Sequence, residues 1–296
     1  MYLSPKVMAV IVVTAAGGST GTAVVRALRA RGRSVRAVVG RRGPRPELAA
    51  LGAEVVVAEL GRPMAWSGVL AGAEALYLIW PNFDPDEAEG APALFAEARR
   101  AGLPRLVYHS VLRPQLRVMP HHAAKDRAEE ALDGSGLRSW RVLQPCAYAD
   151  NLDAQLPAVQ ADGRLRSPWG LRTAQSLVDL RDVAEAAAVL LTEDGLDGGT
   201  FEAVGPEPLT APRIAELVGE RLGRPVRAED VVPRGEVPTS YAARCRRTMF
   251  DHYRAHGFTG SPRVLTDLLG RPPRTFAEHL ADLAPGALGL PDRTPA

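Results

Sequence analysis

The sequence predicts an α/β fold, a doubly wound parallel sheet with a smaller C-terminal lobe. Three observations carry that expectation. Short β-branched runs alternate with helix-period segments through the first half. The first run leads at once into a glycine-rich turn and a helix. The alternation then stops near Pro145, and 296 residues is a length that suits two lobes.

The elements follow in order. Val7–Thr14 reads as a strand covered on both faces, because it is apolar and β-branched without alternation. A helix over Thr22–Arg31 follows, with Val24, Val25 and Leu28 on one face. Further strands are expected at Val35–Val39, Glu54–Ala58, Ala75–Ile79, Leu106–His109 and Trp140–Leu143. Helices are expected near Glu47–Leu51, Met64–Leu70, Glu87–Ala101 and Ala124–Leu132. Residues 1–150 form the nucleotide-binding domain in this reading, and 151–296 mainly the substrate lobe. Part of about 172–205 is expected to return to the first sheet. Asn151–Leu171 holds Pro157, Pro168 and Gly170 and reads as loop with short elements. Helices are expected at Asp182–Leu191, capped by Asp179 or Asp182, at Thr210–Leu222 and at Thr239–His256. One more is opened by Ser261-Pro262, and Thr275 caps the last. The tail from Gly286 is expected to fray.

Composition bounds the function. The net charge is +2, too small to mark a nucleic-acid or membrane-surface protein by itself. No DNA-reading motif is present, and no apolar stretch approaches a membrane span. Lys6 before the apolar run Val7–Val13 imitates a signal peptide, yet a buried first strand explains that run better. Two distant cysteines, Cys146 and Cys245, make neither a disulfide framework nor a metal spacing. A cytoplasmic chain with no metal is therefore expected. Among the basic residues only Lys6 and Lys125 are lysine. A lysine kept in so arginine-rich a chain points to a need for a compact, titratable ammonium.

Thr14-Ala15-Ala16-Gly17-Gly18-Ser19-Thr20-Gly21 lies between the first strand and the first helix. In a Rossmann-type fold a pyrophosphate sits at that place, on backbone N–H groups and the positive end of the helix dipole. Thr14, Gly18, Ser19, Thr20 and Gly21 are the candidate contacts. Gly17–Gly21 also matches the Gly-x-Ser-x-Gly elbow, but that motif needs a sheet before it and only one strand precedes it here. Arg41 and Arg42, beyond the second strand, suit a 2′-phosphate and so NADP(H) over NAD(H). His252 and His256 are four apart without the glutamate of a metalloprotease helix, and read as helix surface.

Across nearly its whole length the sequence resembles the NmrA-like branch of the atypical short-chain dehydrogenase/reductases. The resemblance is carried by Val12–Thr14, Gly18–Gly21, Val55–Leu60, Tyr108–Val111, His121–Lys125, Leu143–Tyr148, Ser176–Ala184 and Leu269–Thr275. It implies an NAD(P)-binding Rossmann domain, a C-terminal substrate lobe and a cleft between them. It implies that Glu59 and Leu60 lie near the adenine. Three positions depart from the family pattern. The first glycine of the turn is Ala15, the adenine-side aspartate is Glu59, and the arginine right after the second strand is Gly40.

The resemblance also implies a serine, tyrosine and lysine as the catalytic group. Ser110 ends the fifth strand, and Lys125 lies on the next helix, expected at the cofactor. His121 stands where tyrosine would. Both His121 and His122 share the face of Lys125 at spacings of four and three. A histidine titrating near 6.5 can do acid–base work. A surface pair of Lys125 with Glu129 is the plainer alternative. Trp80 and Phe83 after the fourth strand, Tyr148 and Asn151 after the sixth, and Trp169 are the candidate substrate contacts, Trp80 serving the cofactor as well. The expected function is an NADP(H)-dependent reductase of a small carbonyl, enone or quinone. The alternatives are an NADP-binding redox sensor acting through a partner, and a redox-neutral isomerase or cyclase. A homodimer is left open.

Overall fold

The computed structural model describes residues 9–62, 66–232 and 239–289. The early part of the first expected strand, the start of the helix expected at Met64 and the end of the tail lie outside them.

The first half is strand and helix in strict alternation: β1 (Val10–Val13), α1 (Ser19–Ala30), β2 (Ser34–Val39), α2 (Pro46–Ala50), β3 (Glu54–Val57), α3 (Trp66–Leu70), β4 (Ala73–Ile79), α4 (Glu87–Arg100), β5 (Arg105–His109), α5 (Pro120–Asp133) and β6 (Trp140–Pro145). After these come β7 (Ala147–Tyr148), a 3-10 turn at Ala149–Gln155, α6 (Leu156–Asp162), β8 (Arg164–Ser167), β9 (Ala174–Val178), α7 (Leu180–Thr192) and β10 (Gly199–Ala203). The chain closes with β11 (Pro208–Thr210), α8 (Ala211–Leu222), β12 (Arg227–Asp230), α9 (Tyr241–His256), α10 (Arg263–Leu269) and α11 (Phe276–Asp282).

The chain forms two compact units. One holds the residues up to Gln144 together with Val183–Phe201; the other holds Pro145–Asp182 and the residues from Glu202. The first unit is built on a seven-stranded sheet of order β10-β6-β5-β4-β1-β2-β3. The pairs from β3 through β6 are parallel. This is the Rossmann-like order, and the doubly wound sheet read from the sequence is observed. Val10–Val13 are all buried, as a strand covered on both faces must be. The core between the sheet and the α3–α4–α5 layer includes Leu76, Leu78, Leu94, Phe95, Leu106, Tyr108 and Leu132.

In the second unit the structure is more regular than the sequence reading. Asn151–Leu171 carries α6 and β8, and β8 pairs in parallel with β12. A three-stranded sheet runs β11-β9-β7. These strands of two to five residues are too short to show a period. Thr275 forms a full capping box with Glu278, as expected of the last helix. Ser240 caps α9 by accepting from the Ala243 amide. Pro262 sits at the cap of α10 rather than inside its first turn. Among the described residues no helix is long and apolar enough to cross a membrane.

Candidate active site

Parallel strands put the loops after β1, β4 and β5 at one edge of the sheet. In open α/β sheets ligands bind there, where the strand order reverses. Here the reversal falls at β1, between β4 and β2. Thr14 joins β1 to β4 at that point. Its amide donates to the Tyr77 carbonyl at 3.1 Å, its hydroxyl donates to the Ile79 carbonyl at 2.7 Å, and its Oγ1 accepts from the Ile79 amide at 2.7 Å. Thr14 is fully buried, so its side chain serves the sheet.

The turn that follows keeps glycine geometry without its first glycine. Ala15 has φ +47°, in the left-handed region that an L side chain enters at a cost of roughly 1–2 kcal/mol. Its carbonyl accepts from the Gly18 amide at 3.0 Å, and the Ala16 amide donates to Val38 at 3.0 Å. Gly21 shows why the turn is fixed. A Cβ there would stand 2.5 Å from the Ala15 oxygen and 2.6 Å from the Ala16 Cα. Gly17, Gly18 and Ser19 are exposed, Thr20 is half-buried, and Gly18 caps α1 in extended conformation. The first amides of α1 have no partner within the helix, so they face outward together with its positive dipole end.

Arg41 and Arg42 are exposed in the loop after β2. Sequence reasoning missed Arg45. A Cβ on Gly17 would stand 3.2 Å from Arg45 Nε, which is buried without a hydrogen-bond partner. A third arginine among so many carries no signal of its own; only the path of the chain brings it over the turn. Glu59 is exposed and pairs with Arg62 at 2.8 Å, and its carbonyl accepts from Trp66 Nε1. Leu60 packs against the core.

At the edge above β4 and β5, Phe83 takes φ +58° and Arg113 φ +56°. With Ala15 these are the left-handed non-glycine residues among the described ones, and all three lie in loops at this edge. Strain of this kind gathers at functional sites and costs of order 1–3 kcal/mol per residue. The two strained residues hold the two histidines. The Phe83 ring meets His121 edge-on at 4.9 Å, and His122 Nδ1 donates to the Arg113 carbonyl at 3.0 Å. The imidazoles are 4.5 Å apart. α5 begins at Pro120, a turn earlier than the sequence pattern suggests, and so carries both histidines. His121 is 5% exposed and its Nδ1 has no hydrogen-bond partner. Burial, then the neighbouring His122 and Lys125, lower it to about 3. The expectation of ordinary titration near 6.5 therefore fails for His121, which is neutral at pH 7.

Lys125 is buried, 6% exposed. Its Nζ donates to Glu87 Oε1 at 2.6 Å and to the His109 carbonyl at 3.1 Å, and lies 5.3 Å above the Tyr108 ring. The Tyr108 hydroxyl donates to the same Glu87 oxygen at 2.7 Å. The alternative of a surface pair with Glu129 is not what forms: Lys125 makes a buried pair with Glu87 on α4. Glu129 instead accepts from the Ser110 hydroxyl and from Gln144 Nε2. Burial and then Lys125 hold His109 at about 3, with the Tyr77 hydroxyl 2.6 Å from its Nδ1. Glu87 escaped the sequence reading, as did the contacts of Glu129, Gln144 and Tyr108, because they join separate elements. Trp80 is 4% exposed and lies across Gly90 in the core.

The remaining candidates belong to the second unit. Tyr148 is half-buried on β7 opposite Val178, and Asn151 is exposed in the 3-10 turn. Trp169 is buried with its indole N–H unpartnered. The same unit holds a cluster of Asp150, Asp179 and His279. Both imidazole nitrogens of His279 already meet carboxylates, Asp179 at 3.0 Å and Asp153 at 2.9 Å. Cys146 is buried, and burial pushes its thiol up to about 12.

The family model for the NmrA-like family matches residues 8–260. The chain belongs to the NmrA-like family. A (4-alkanoyl-5-oxo-2,5-dihydrofuran-3-yl)methyl phosphate reductase of Streptomyces griseus is 29% identical over 93% of this chain and 99% of its own. An NAD(P)H azoreductase of Xenophilus azovorans is 26% identical over 90% of this chain and 96% of its own. A NADPH-dependent quinone oxidoreductase of Escherichia coli, solved with NADPH, superposes with a TM-score of 0.80 at 24% identity, over 92% of this chain and 98% of that one.

The family implies a dinucleotide, and the residues present suit one. The exposed Gly17–Ser19 backbone leaves room for a pyrophosphate at the α1 N-terminus. The orphaned Arg45 Nε beside Gly17 supplies positive charge where an anionic ligand would lie.

Proposed function

We propose that this protein is an NADP(H)-dependent oxidoreductase that reduces a small carbonyl, enone or quinone. The Ala15–Gly21 turn, left-handed at Ala15 and opening onto the α1 N-terminus where the strand order reverses, carries the reading. Reductases among the relatives support it.

In this reading the α1 amides hold the pyrophosphate, with Gly18, Ser19, Thr20 and Gly21 shaping the approach. Arg41, Arg42 and Arg45 offer three cations for the 2′-phosphate, which favours NADP(H) over NAD(H). Glu59 and Leu60 stand on the adenine side. When bound, the dihydronicotinamide supplies the hydride. The protein's share is a proton and a position. Ser110 stands at the β5 end, and a neutral His121 can offer an N–H hydrogen bond that orients a substrate oxygen without giving up its proton. Lys125 fixes α5 to α4 through Glu87 and places a positive charge beneath the site. Phe83 supplies an apolar wall, and Tyr148, Asn151 and Trp169 are the substrate contacts proposed for the second unit.

Calorimetric titration with NADPH and NADH tests the cofactor half, with tighter NADPH binding expected. Turnover of NADPH with quinone and enone probes tests the reaction. Tight binding without any turnover would make the protein an NADP sensor, and failure to bind either nucleotide would sink both readings.

A further inference from the structure

Glu129 closes a polar chain that the hydride reading leaves unused. It sits on α5 one turn beyond Lys125 and is half-buried. Its Oε1 receives the Ser110 hydroxyl from the end of β5. Gln144 Nε2, from the end of β6, reaches Oε1 at 3.0 Å and Oε2 at 2.9 Å. Ser110 is 3% exposed and stands at the ligand-binding edge of the sheet.

A reduction needs a proton as well as a hydride. A serine hydroxyl passes on its proton only if it is reloaded at once from a better acid. The other groups nearby are poorly suited. His121 and His109 are held neutral. The Lys125 ammonium is turned toward Glu87 and the His109 carbonyl. Glu129 differs from them, because it touches Ser110 and still keeps a solvent-exposed side. Burial raises its carboxyl above the usual range. The hydrogen bonds from Ser110 and Gln144 and the charge of Lys125 oppose that rise, and Asp126 adds to it. Glu87 on α4 faces the group only through Lys125.

We propose that Glu129 and Ser110 form the proton relay of the reduction, with Gln144 fixing the carboxyl group. The relay rests on the reductase reading above. The substrate carbon gains the hydride and its π-bond pair moves onto oxygen. That oxygen takes the Ser110 hydroxyl proton, the serine oxygen takes the Glu129 carboxyl proton, and Glu129 recovers one from solvent. The nicotinamide is oxidised by two electrons and the substrate is reduced by two. Glu129 acts through Ser110, and so is a positioning residue.

Two measurements test it. In the cofactor-free protein labelled with 13C-glutamate, one carboxyl should titrate above the usual 4.5, vanish in Glu129→Gln and shift in Ser110→Ala. In turnover with NADPH and a quinone, Glu129→Gln should lower kcat at least tenfold and lose the alkaline limb of the pH profile. Its Kd for NADPH should stay within twofold, and Glu129→Asp should restore part of the rate. A Glu129 resonance indifferent to Ser110→Ala, or an unchanged kcat–pH profile in Glu129→Gln, would overturn the relay alone. A wild-type protein that binds NADPH but reduces no quinone or enone would overturn the relay and the reductase reading together.

Discussion

Ala15 shows a residue forced into the role of the one it replaces. The turn needs a left-handed residue so that Gly21 can pass under its carbonyl, and alanine accepts φ +47° to provide it. Ala15→Gly should therefore stabilise the fold by about 0.5–1 kcal/mol, the relieved strain less the extra freedom of an unfolded glycine. A lowered urea midpoint would contradict this. Gly21→Ala should do the reverse, because its Cβ has only backbone to displace, and the midpoint should fall while NADPH affinity is lost. Lys125 gives the second test at this scale. Removing it leaves Glu87, 1% exposed, without its cation. Lys125→Met should cost about 3–5 kcal/mol, and adding Glu87→Gln should recover most of it. A single substitution costing under 1 kcal/mol would mean that the pair is not buried in solution. Lys125→Arg keeps the charge but adds volume, and should cut turnover or cofactor affinity sharply.

Elements are tied together by charge as well as by apolar packing, and α11 is the clearest case. His279 on α11 reaches Asp179 before α7 and Asp153 in the 3-10 turn. Burial alone would lower its pKa, but hydrogen bonds to Asp153 and Asp179 outweigh that and raise it to about 9. The direction of the pH effect follows. The folded value exceeds the ordinary 6.5, so this contribution is complete below about pH 6.5 and fades as pH rises through 9. It amounts to roughly 3 kcal/mol. Denaturant unfolding at pH 6 and pH 9.5 should show the loss, and His279→Gln should flatten it. An equal loss in the variant would assign the pH effect to other groups. Asp179 is held the other way: burial would raise its carboxyl, yet Arg181 and His279 keep it well below the usual range.

At the scale of the whole molecule the sheet order matters more than any single contact. Crossing over from β3 to β4, on the far side of β1, opens the strand ends at which Ala15, Phe83 and Arg113 lie. The chain leaves the first unit after Gln144 and returns to it at Val183, completing the sheet with β10. A ligand held by the folded sheet and not by the unfolded chain must stabilise it. NADPH at a hundred times its Kd should add about 2.7 kcal/mol, read as a rise in Tm, and NADH at the same concentration should add less. Equal shifts would remove the preference assigned to Arg41, Arg42 and Arg45.

The division between sequence and tertiary structure follows from the range of the interactions. The strands and helices of the first half, the glycine turn and the Thr275 cap were legible in the sequence, because local pattern and backbone sterics decide them. The family was legible for the same reason, since its motifs are contiguous. What the sequence could not decide was the partner of each buried polar group. Lys125 had Glu129 four residues away, yet it chose Glu87 from another helix, because there its charge is buried with a countercharge, beside the Tyr108 ring and the His109 carbonyl. Trp80 was read as a contact of substrate and cofactor; only the fold shows that its ring packs in the core, where Gly90 leaves room for it. His121 was expected to titrate normally, and burial beside Phe83 and His122 removed that. Desolvation and long-range pairing arise only when separate elements meet, so the chain order of the residues is silent about them.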